Sequence, residues 1–435
     1  MVPNRKLPAV AALALLTLVA GACSSSSKSG SSSSPTTAVS AGDRGNVNGQ
    51  LVLGALLPQS GDLSAIFKAL SVPIQMAVTE INAAGGVNGK PVVLKSADDG
   101  TSPDVASASL DTLLTSGKVD VILGAASSTT ELGIIDKIKT NGVLDCSGSN
   151  TSSALTVPGG AAGGYYFRTA PPDKFQGPAL AQLVLNDNKH KVAILTRNDS
   201  YGTGFGASLE SALKAGGADV VVNDAYDPKS ADFSADVGKV TNKGADAIVV
   251  IGFNDDGGKV LKAMIAKNVG PKDIQIYTAD GMQSSKLYKS VDPSNPAVIE
   301  GIKGTAPAAA PSGVTSPFTA KYAATGNDTI FSAYYYDCTN LVALAAQAAH
   351  SDDPAKIKDK MIEVSSGGTK CNTYKQCAAL LKAGKDIDYA GASGPVDLTS
   401  EHEPGNGVYD VWSYGADGKP ANIKGVAQIK ISGSS

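Results

Sequence analysis

The sequence is poor in the residues that catalytic and metal sites use most. Only three of its 435 residues are histidine, and they lie in a charged turn (His190), at a helix end (His350) and in a Glu-His-Glu-Pro loop (His402). A hydrolase would need one of them as its base, and no Gly-x-Ser-x-Gly elbow is present to hold a serine nucleophile. Each histidine is therefore predicted to be a solvated surface residue, and no enzymatic activity, metal or cofactor is expected.

The chain also lacks an excess of positive charge. Its 37 Lys and Arg residues are balanced by 40 Asp and Glu residues, which gives a formal net charge of -3. Without a basic field the chain does not attract a phosphate backbone, so nucleic acid is not expected as a partner. The composition, 42% hydrophobic and 18% charged, is that of a globular chain with two or three domains.

No apolar run is long enough to cross a bilayer. Arg5 and Lys6 precede the apolar run Leu7–Val19, which is shorter than the roughly 20 residues of a spanning helix. Small residues follow, and together these features predict a secretory signal peptide over residues 1–22. The stretch Val19-Ala20-Gly21-Ala22-Cys23 resembles a bacterial lipobox, which implies acylation of Cys23. An ordinary secretory signal followed by an unrelated cysteine is the alternative.

Residues 23–48 are predicted to be a disordered, lipid-anchored linker. Serine dominates from Ser24 to Ser34, and nothing up to Asn48 supports a hydrophobic core. Such a tether lets a folded domain stand off the membrane that holds its first residue.

Cysteine is scarce and even in number once Cys23 is assigned to lipid. The remaining four, Cys146, Cys338, Cys371 and Cys377, suggest two disulfides in an exported chain. Cys371 and Cys377 are close enough in sequence to close a local loop, which leaves Cys146 to pair with Cys338. Four thiols without a tight Cys-x-x-Cys pair do not have the spacing of a zinc site.

From residue 50 onward the chain alternates short β-branched runs with helix-length segments. This order predicts an α/β fold with parallel sheets covered by helices on both faces. A pause rich in Gly, Ser and Thr at 147–164 predicts the end of one lobe and the start of another. Ligands of such sheets bind beyond the carboxyl ends of the strands. The predicted strands are Leu51–Leu57, Val92–Lys95, Val119–Leu123, Val192–Leu195, Val220–Val222, Ala247–Ile251 and Ile274–Tyr277.

Several segments occur in the order typical of one protein family. They include Gly-Ala-Leu-Leu-Pro-Gln-Ser-Gly at 54–61, Glu-Ile-Asn-Ala-Ala-Gly-Gly at 80–86, Arg-Thr-Ala-Pro at 168–171 and Asp-Ser-Tyr-Gly at 199–202. With these motifs the chain resembles the leucine/isoleucine/valine-binding family of periplasmic binding proteins over roughly residues 49–414.

The resemblance implies the type I fold of that family, in which two doubly wound parallel sheets are joined by three crossovers and close on a solute. We expect the N-lobe to comprise residues 49–169 and 305–407, and the C-lobe to comprise residues 170–304 and 408–435. This division would place Cys338 beside Cys146.

The resemblance also implies which N-lobe residues hold the carboxylate of the solute. They are Ser128 in the loop after the third predicted strand, with Ser149 and Asn150 in the next loop. The amides at the start of the following helix would favour an anion. Simple N-capping of the helix by a serine or threonine is the alternative for Ser128.

On the C-lobe the resemblance assigns ligand contacts to Tyr201, Phe253 and Asp280. Asp280 matches an acidic residue that holds the ammonium of the solute, and Phe253 stands where a tyrosine is common. Ile66 or Phe67 would lie at the mouth of the pocket. The alternatives are a surface turn for Tyr201, a turn aspartate for Asp280 and core packing for Ile66 and Phe67.

Taken together, the motifs predict a monomeric substrate-binding lipoprotein of an ABC-type importer, which captures a branched-chain or similar amino acid. Its partners would be the permease and ATPase subunits, and it would be held by lipid on the outer face of the bacterial cell membrane. A sensory binding lobe for an amide, a urea-like compound or an aromatic acid is the alternative, and an exported enzyme is the least favoured interpretation.

Overall fold

A computed structural model describes residues 47–241 and 243–433 of the chain. The predicted signal peptide, Cys23 and residues 23–46 of the predicted linker lie outside the described residues. Asn48 and Gly49 already belong to the folded part, because their amides donate hydrogen bonds of 2.8 Å to Asp352. None of the helices described could span a membrane.

The first sheet has five parallel strands and buries apolar side chains beneath its helices. Its strands are β1 (Val52–Leu57), β2 (Val93–Asp98), β3 (Val121–Gly124), β4 (Leu144–Ser147) and β5 (Tyr166–Arg168). The helices are α1 (Phe67–Ala83), α2 (Pro103–Thr115), α3 (Ser128–Asn141) and α4 (Ala161–Gly164). The strand order is β2-β1-β3-β4-β5, which is a doubly wound order.

The second sheet starts with the same alternation. Its first strands are β6 (Lys191–Arg197), β7 (Asp219–Tyr226), β8 (Ala247–Ile251), β9 (Gln275–Thr278) and β10 (Lys303–Pro307). The helices are α5 (Asp173–Asn186), α6 (Ser200–Ala215), α7 (Ser234–Thr241), α8 (Asn254–Ala266) and α9 (Leu287–Val291). Strand β8 is fully buried, as expected for a sheet that is covered on both faces.

The chain then returns to the first sheet before it completes the second. The returning elements are α10 (Pro317–Ala323), α11 (Ser332–Ala348), α12 (Pro354–Met361), β11 (Thr369–Cys371), α13 (Tyr374–Lys382), β12 (Ile387–Gly391) and β13 (Gly394–Pro395). Helix α11 is buried along nearly its whole length and packs against α1. The last strands are β14 (Asn406–Tyr414), β15 (Pro420–Asn422) and β16 (Ile429–Ser432), and β14 pairs antiparallel with β10.

Two lobes follow from this topology: a first lobe on the first sheet with α10–α13, and a second lobe on the second sheet. The chain crosses between them after β5, after β10 and before β14, which gives three crossovers. The predicted boundaries at 304/305 and 407/408 fall inside β10 and β14. Both strands belong to the second sheet over their whole length, because β10 pairs with residues 409–413 of β14 and residues 406–409 of β14 pair with β16. The crossovers therefore lie a few residues away from the predicted positions.

The four remaining cysteines lie in two pairs. Cys146 on β4 and Cys338 on α11 have their Cα atoms 6.0 Å apart, and the Cα atoms of Cys371 and Cys377 are 5.4 Å apart. Both distances are within the range that a disulfide requires. The two disulfides stay a prediction, which the geometry supports.

We expect peptide mapping of the exported protein, digested without reductant, to recover Cys146 joined to Cys338. Since this link would close a long loop, reduction should lower the free energy of unfolding by about 2–4 kcal/mol. A free thiol at either position in protein exported from cells would contradict the pairing.

Candidate functional site

Loops after β3 and β4 of the first sheet and after β6, β8 and β9 of the second sheet line one cavity. It lies between the lobes, at the carboxyl ends of the strands, where open α/β sheets bind ligands. Its volume is about 20 Å³, so the lobes are closed against each other. The lining residues are Leu63, Ile66, Ala126, Ser127, Ser128, Ser149, Thr151, Tyr201, Phe253, Asp280, Gly281 and Phe331.

The first-lobe wall is the loop between β3 and α3. Gly124 has a φ of 140°, and a side chain there would collide with the carbonyl oxygen of Leu56. Ser127 is the N-cap residue of α3, but its side chain makes no capping hydrogen bond. The Ser128 hydroxyl accepts hydrogen bonds of 3.2 Å from the amides of Thr151 and Ser152. Ser128 therefore ties two loops together at the cavity, which differs from the simple capping alternative.

Ser149 and Asn150 occupy different positions in the next loop. Ser149 lines the cavity and donates a hydrogen bond of 2.9 Å to the carbonyl oxygen of Ala126. Asn150 lies behind the wall, where its amide nitrogen donates to the carbonyl oxygens of Ala125 and Ala126 at 2.8 and 2.9 Å. These bonds turn its side chain away from the cavity. Asn150 therefore positions the loop, whereas the sequence analysis expected it to contact the solute.

Asp280 lies on the second-lobe wall, directly after β9. Its Oδ1 atom accepts hydrogen bonds from Gln176 Nε2 at 2.8 Å and from the Tyr201 hydroxyl at 3.2 Å. The backbone amide of Asp280 also hydrogen-bonds to this carboxylate. Burial raises the pKa of Asp280 to about 6, while the hydrogen bonds from Tyr201 and Gln176 favour the charged form. The carboxylate is thus charged at neutral pH and lines the cavity.

Two aromatic rings complete the second-lobe wall. Tyr201 stacks on Phe253 with ring centroids 5.4 Å apart. The guanidinium of Arg197 also lies over the Phe253 ring, 3.6 Å from its centroid. Tyr201 is 2% exposed, so it is not a surface turn residue. Arg197 itself is held by Asp199 at 2.6 Å and Asp256 at 2.8 Å. This stack fixes the orientation of Phe253.

Polar contacts between the lobes hold the closed arrangement. The hydroxyls of Thr129 on the first lobe and Ser200 on the second lie 2.8 Å apart, and Ser152 donates a hydrogen bond of 2.8 Å to the carbonyl oxygen of Ser200. Arg197 also reaches Asp62 at 3.6 Å. These contacts surround the cavity, so closure and the shape of the site are linked.

Sequence reasoning missed several lining residues. Thr151 belongs to the same loop as Ser149, and its hydroxyl was a usable signal. Phe331 comes from the segment that returns to the first lobe, so no local pattern could place it in the cavity. Of the two residues expected at the mouth, Ile66 lines the cavity and Phe67 does not.

His402 differs from the prediction of a solvated residue. Its ring stacks on Phe167 at 4.0 Å, and its Nδ1 atom lies 3.2 Å from the carbonyl oxygen of Tyr166. Burial lowers the pKa of His402, so the neutral ring is favoured. The residue packs on β5, because the third crossover passes over that strand, and it does not line the cavity.

A larger cavity, of about 490 Å³, lies outside the cleft beside α10 and β15. Its two acids are already bound within the protein: Asp328 accepts from the Ser285 amide at 3.1 Å, and Asp410 accepts from Gln428 at 2.7 Å. The small cavity in the cleft is lined by the buried carboxylate of Asp280 and by residues of both lobes, so it is the stronger candidate despite its size.

Comparison with known proteins identifies the family. A family described as periplasmic binding protein matches residues 50–417. Among curated relatives, the Leu/Ile/Val-binding protein BraC3 of Rhizobium johnstonii is 29% identical over 241 residues, which are 55% of this chain and 63% of the relative. The chain thus covers less than two thirds of that relative's length.

Solved structures share the fold. LivJ, a branched-chain amino acid transporter substrate-binding protein of Streptococcus pneumoniae, in complex with isoleucine, has a TM-score of 0.70 and 24% identity and covers 88% of this chain and 99% of its own. A solute-binding protein of an ABC transporter from R. palustris, in complex with 4-hydroxybenzoate, has a TM-score of 0.68 and 18% identity over 88% of this chain and 98% of its own. They confirm the predicted two-lobed type I fold, and since the family match spans most of the sequence, the chain belongs to the periplasmic binding protein family.

Proposed function

We propose that this protein captures an α-amino acid with an apolar side chain between its lobes and delivers it to an ABC-type importer. The buried carboxylate of Asp280 in the wall of the cleft is the observation that carries the proposal. It is a buried, charged acceptor, and no Lys, Arg or His stands among the described residues that line the cleft. A positive charge on the solute would therefore be favoured there, because a buried charge without an opposite charge is costly.

The opposite wall supports a carboxylate. The Ser128 hydroxyl can donate its proton into the cavity, and the first amides of α3 have no acceptor within their own helix. Ser128 and Asp280 lie on different lobes, so a zwitterion would use both walls at once. Closure would then depend on a solute that carries both charges.

The remaining lining favours an apolar side chain. Leu63, Ile66, Phe253 and Phe331 are buried and surround the cavity. The relatives named above are described as Leu/Ile/Val-binding and as bound to isoleucine, which agrees with this lining. An aromatic acid such as 4-hydroxybenzoate, which one structural neighbour binds, brings a negative charge only and would be repelled by Asp280.

Mass spectrometry of the small molecules released by denaturing the purified protein tests this proposal. We expect a branched-chain or similar amino acid in near-stoichiometric amount. A copurifying acid without an amino group would overturn the assignment and favour the alternative of a receptor for other solutes.

The export and anchoring of the chain form the second part of the proposal. Residues 1–22 would be cleaved as a signal peptide, Cys23 would carry the lipid, and the linker would hold a monomeric binding protein near the permease and ATPase subunits, on the outer face of the cell membrane.

We expect Cys23→Ser to abolish acylation, so that the protein is either released or left uncleaved. Membrane fractionation combined with intact-mass measurement of the mature N-terminus checks this result. Cys146→Ser is a matched control, since it also removes one cysteine but should leave the lipid in place. Full membrane retention of a cleaved Cys23→Ser protein would show that another group is the anchor.

A further inference from the structure

Two buried acids of the first lobe face each other beneath the loop at 124–128. Glu131 lies in the first turn of α3, Asp145 lies on β4, and both are 0% exposed. Their carboxyl groups interact directly with each other. The backbone amide of Cys146 also acts on Asp145, but Glu131 Oε1 and both oxygens of Asp145 have no well-aligned donor among the described residues. Ionised carboxylates only accept hydrogen bonds, so this contact requires a proton on one of the two acids.

Another buried acid in the same lobe shows what an adequately solvated carboxylate needs here. Asp337 is also 0% exposed, but it accepts hydrogen bonds from the Tyr389 hydroxyl, the Ala392 amide and both the amide and the hydroxyl of Ser393, at 2.6–2.8 Å. Four donors replace the water that it has lost. The two acids Glu131 and Asp145 have only two backbone amides between them, those of Ala125 and Cys146, so a shared proton is their remaining source of stabilisation.

The amide that binds Glu131 belongs to the loop that forms the first-lobe wall. The amide of Ala125 donates to Glu131 Oε2 at 2.6 Å, and the amide of Ala126 donates to Asp99 at 2.9 Å. Asn150 holds the carbonyl oxygens of the same two residues. Every backbone polar group of residues 125 and 126 is therefore bound from beneath, two residues before Ser128.

We propose that Glu131 and Asp145 share one proton and act as positioning residues for this loop, so that loss of the proton weakens solute binding. The binding consequence rests on the proposed function, whereas the effect on the loop does not. Neither acid lines the cavity, so their role is exerted through the Ala125 amide.

The surroundings of the pair favour the protonated form. Burial raises the pKa of Glu131 to about 7 and raises the pKa of Asp145 well above its usual range. The charge of Asp99 raises the pKa of Glu131 further, and the charge of Glu131 does the same for Asp145. A raised pKa means that the order of the loop is complete in acid and is lost as the pH rises through about 7. The titratable groups that face the pair from neighbouring elements are Asp99, Tyr166 and Tyr335.

Asp280 gives the opposite pH dependence and so serves as an internal reference. Its pKa is raised to about 6, and its charged form would bind the ammonium, so affinity should rise as the pH rises through about 6. The wild type should therefore bind best between about pH 6 and pH 7. The limb below this range belongs to Asp280 and the limb above it to the pair.

Hydrogen exchange of the peptide that covers residues 124–128, corrected for the intrinsic pH dependence of exchange, tests the loop without any ligand. Between pH 6 and pH 8.5 we expect its protection to fall at least about tenfold in the wild type, since one linked proton changes an equilibrium by up to tenfold per pH unit. Glu131→Gln keeps an acceptor for the Ala125 amide and supplies a permanent donor to Asp145. It should keep its protection constant within about threefold, whereas Glu131→Ala should lose it at every pH.

Calorimetric titration with L-leucine over the same pH range adds the binding arm. Glu131→Gln should lose only the alkaline limb, and the acidic limb that belongs to Asp280 should remain. An alkaline loss of loop protection that persists in Glu131→Gln would assign the titration to Asp99 and overturn the inference, as would constant protection in the wild type. If L-leucine does not bind at any pH while the exchange result holds, the choice of solute fails and the shared proton stands.

Discussion

Replacing Asp280 by asparagine is expected to weaken amino-acid binding by about tenfold to a hundredfold. A charge-assisted hydrogen bond contributes roughly 1.5–3 kcal/mol, and the substitution removes the charge that an ammonium group would contact. Asparagine can still accept the hydrogen bonds from Gln176 and Tyr201, which reach Oδ1 in the wild type. The fold should therefore be kept, and calorimetry on the purified proteins measures the difference.

Tyr201→Phe provides a matched control for Asp280→Asn. It removes the hydroxyl that donates to Asp280 at 3.2 Å but keeps the ring that stacks on Phe253. We expect a smaller loss of affinity, because the carboxylate keeps its charge and its bond from Gln176. Equal affinity in Asp280→Asn and wild type would mean that the solute presents no ammonium at this position.

The second large effect concerns Arg168, which links the first crossover to the third. Its side chain is fully buried and pairs with Glu403, and it also donates to the carbonyl oxygen of Ser152 at 2.9 Å and to Thr156 at 2.7 Å. Arg168→Met would leave Glu403 buried with one remaining cation, Lys174. Breaking a buried ion pair in this way costs about 3–5 kcal/mol, so we expect a loss of that size in the free energy of unfolding by urea.

Lys174→Ala is the control that distinguishes loss of the buried Arg168–Glu403 pair from loss of any positive charge near Glu403. Lys174 also binds Glu403, at 2.7 Å, but its side chain is 42% exposed, and an exposed ion pair contributes about 0–1 kcal/mol. We expect little change in this variant. If the two variants lose stability equally, or if Arg168→Met unfolds like the wild type, the buried pair is not what stabilises the crossovers.

The strands that the sequence predicted are those with continuous apolar runs. The run Ala247–Ile251 has the same bounds as β8, since a strand buried on both faces needs apolar residues at every position. Strand β4 was missed because Asp145 interrupts its apolar pattern. Helix α1 continues through Pro73, where packing against α11 outweighs the missing amide.

The candidate site likewise has a part that the sequence predicted and a part that it did not. Five of the six predicted contact residues line one cavity, and they could be predicted because each follows a strand whose carboxyl end lies between the lobes. These residues are Ser128, Ser149, Tyr201, Phe253 and Asp280. What a side chain does there depends on its neighbours in three dimensions. Contacts between distant segments decide three features that no local spacing could reveal. They are the side chain of Asn150 turned away from the cavity, the packing of His402 on β5 and the stacking of Arg197 on Phe253.

Calorimetric titration of the refolded, ligand-free protein at neutral pH tests the central claim most directly. The titrants are L-leucine, L-isoleucine, L-valine and 4-hydroxybenzoate. The proposed site predicts saturable one-to-one binding of at least one of the three amino acids, weakened in Asp280→Asn, and no binding of 4-hydroxybenzoate. Binding of 4-hydroxybenzoate without binding of any amino acid would contradict the claim that Asp280 recognises an ammonium group in this cleft.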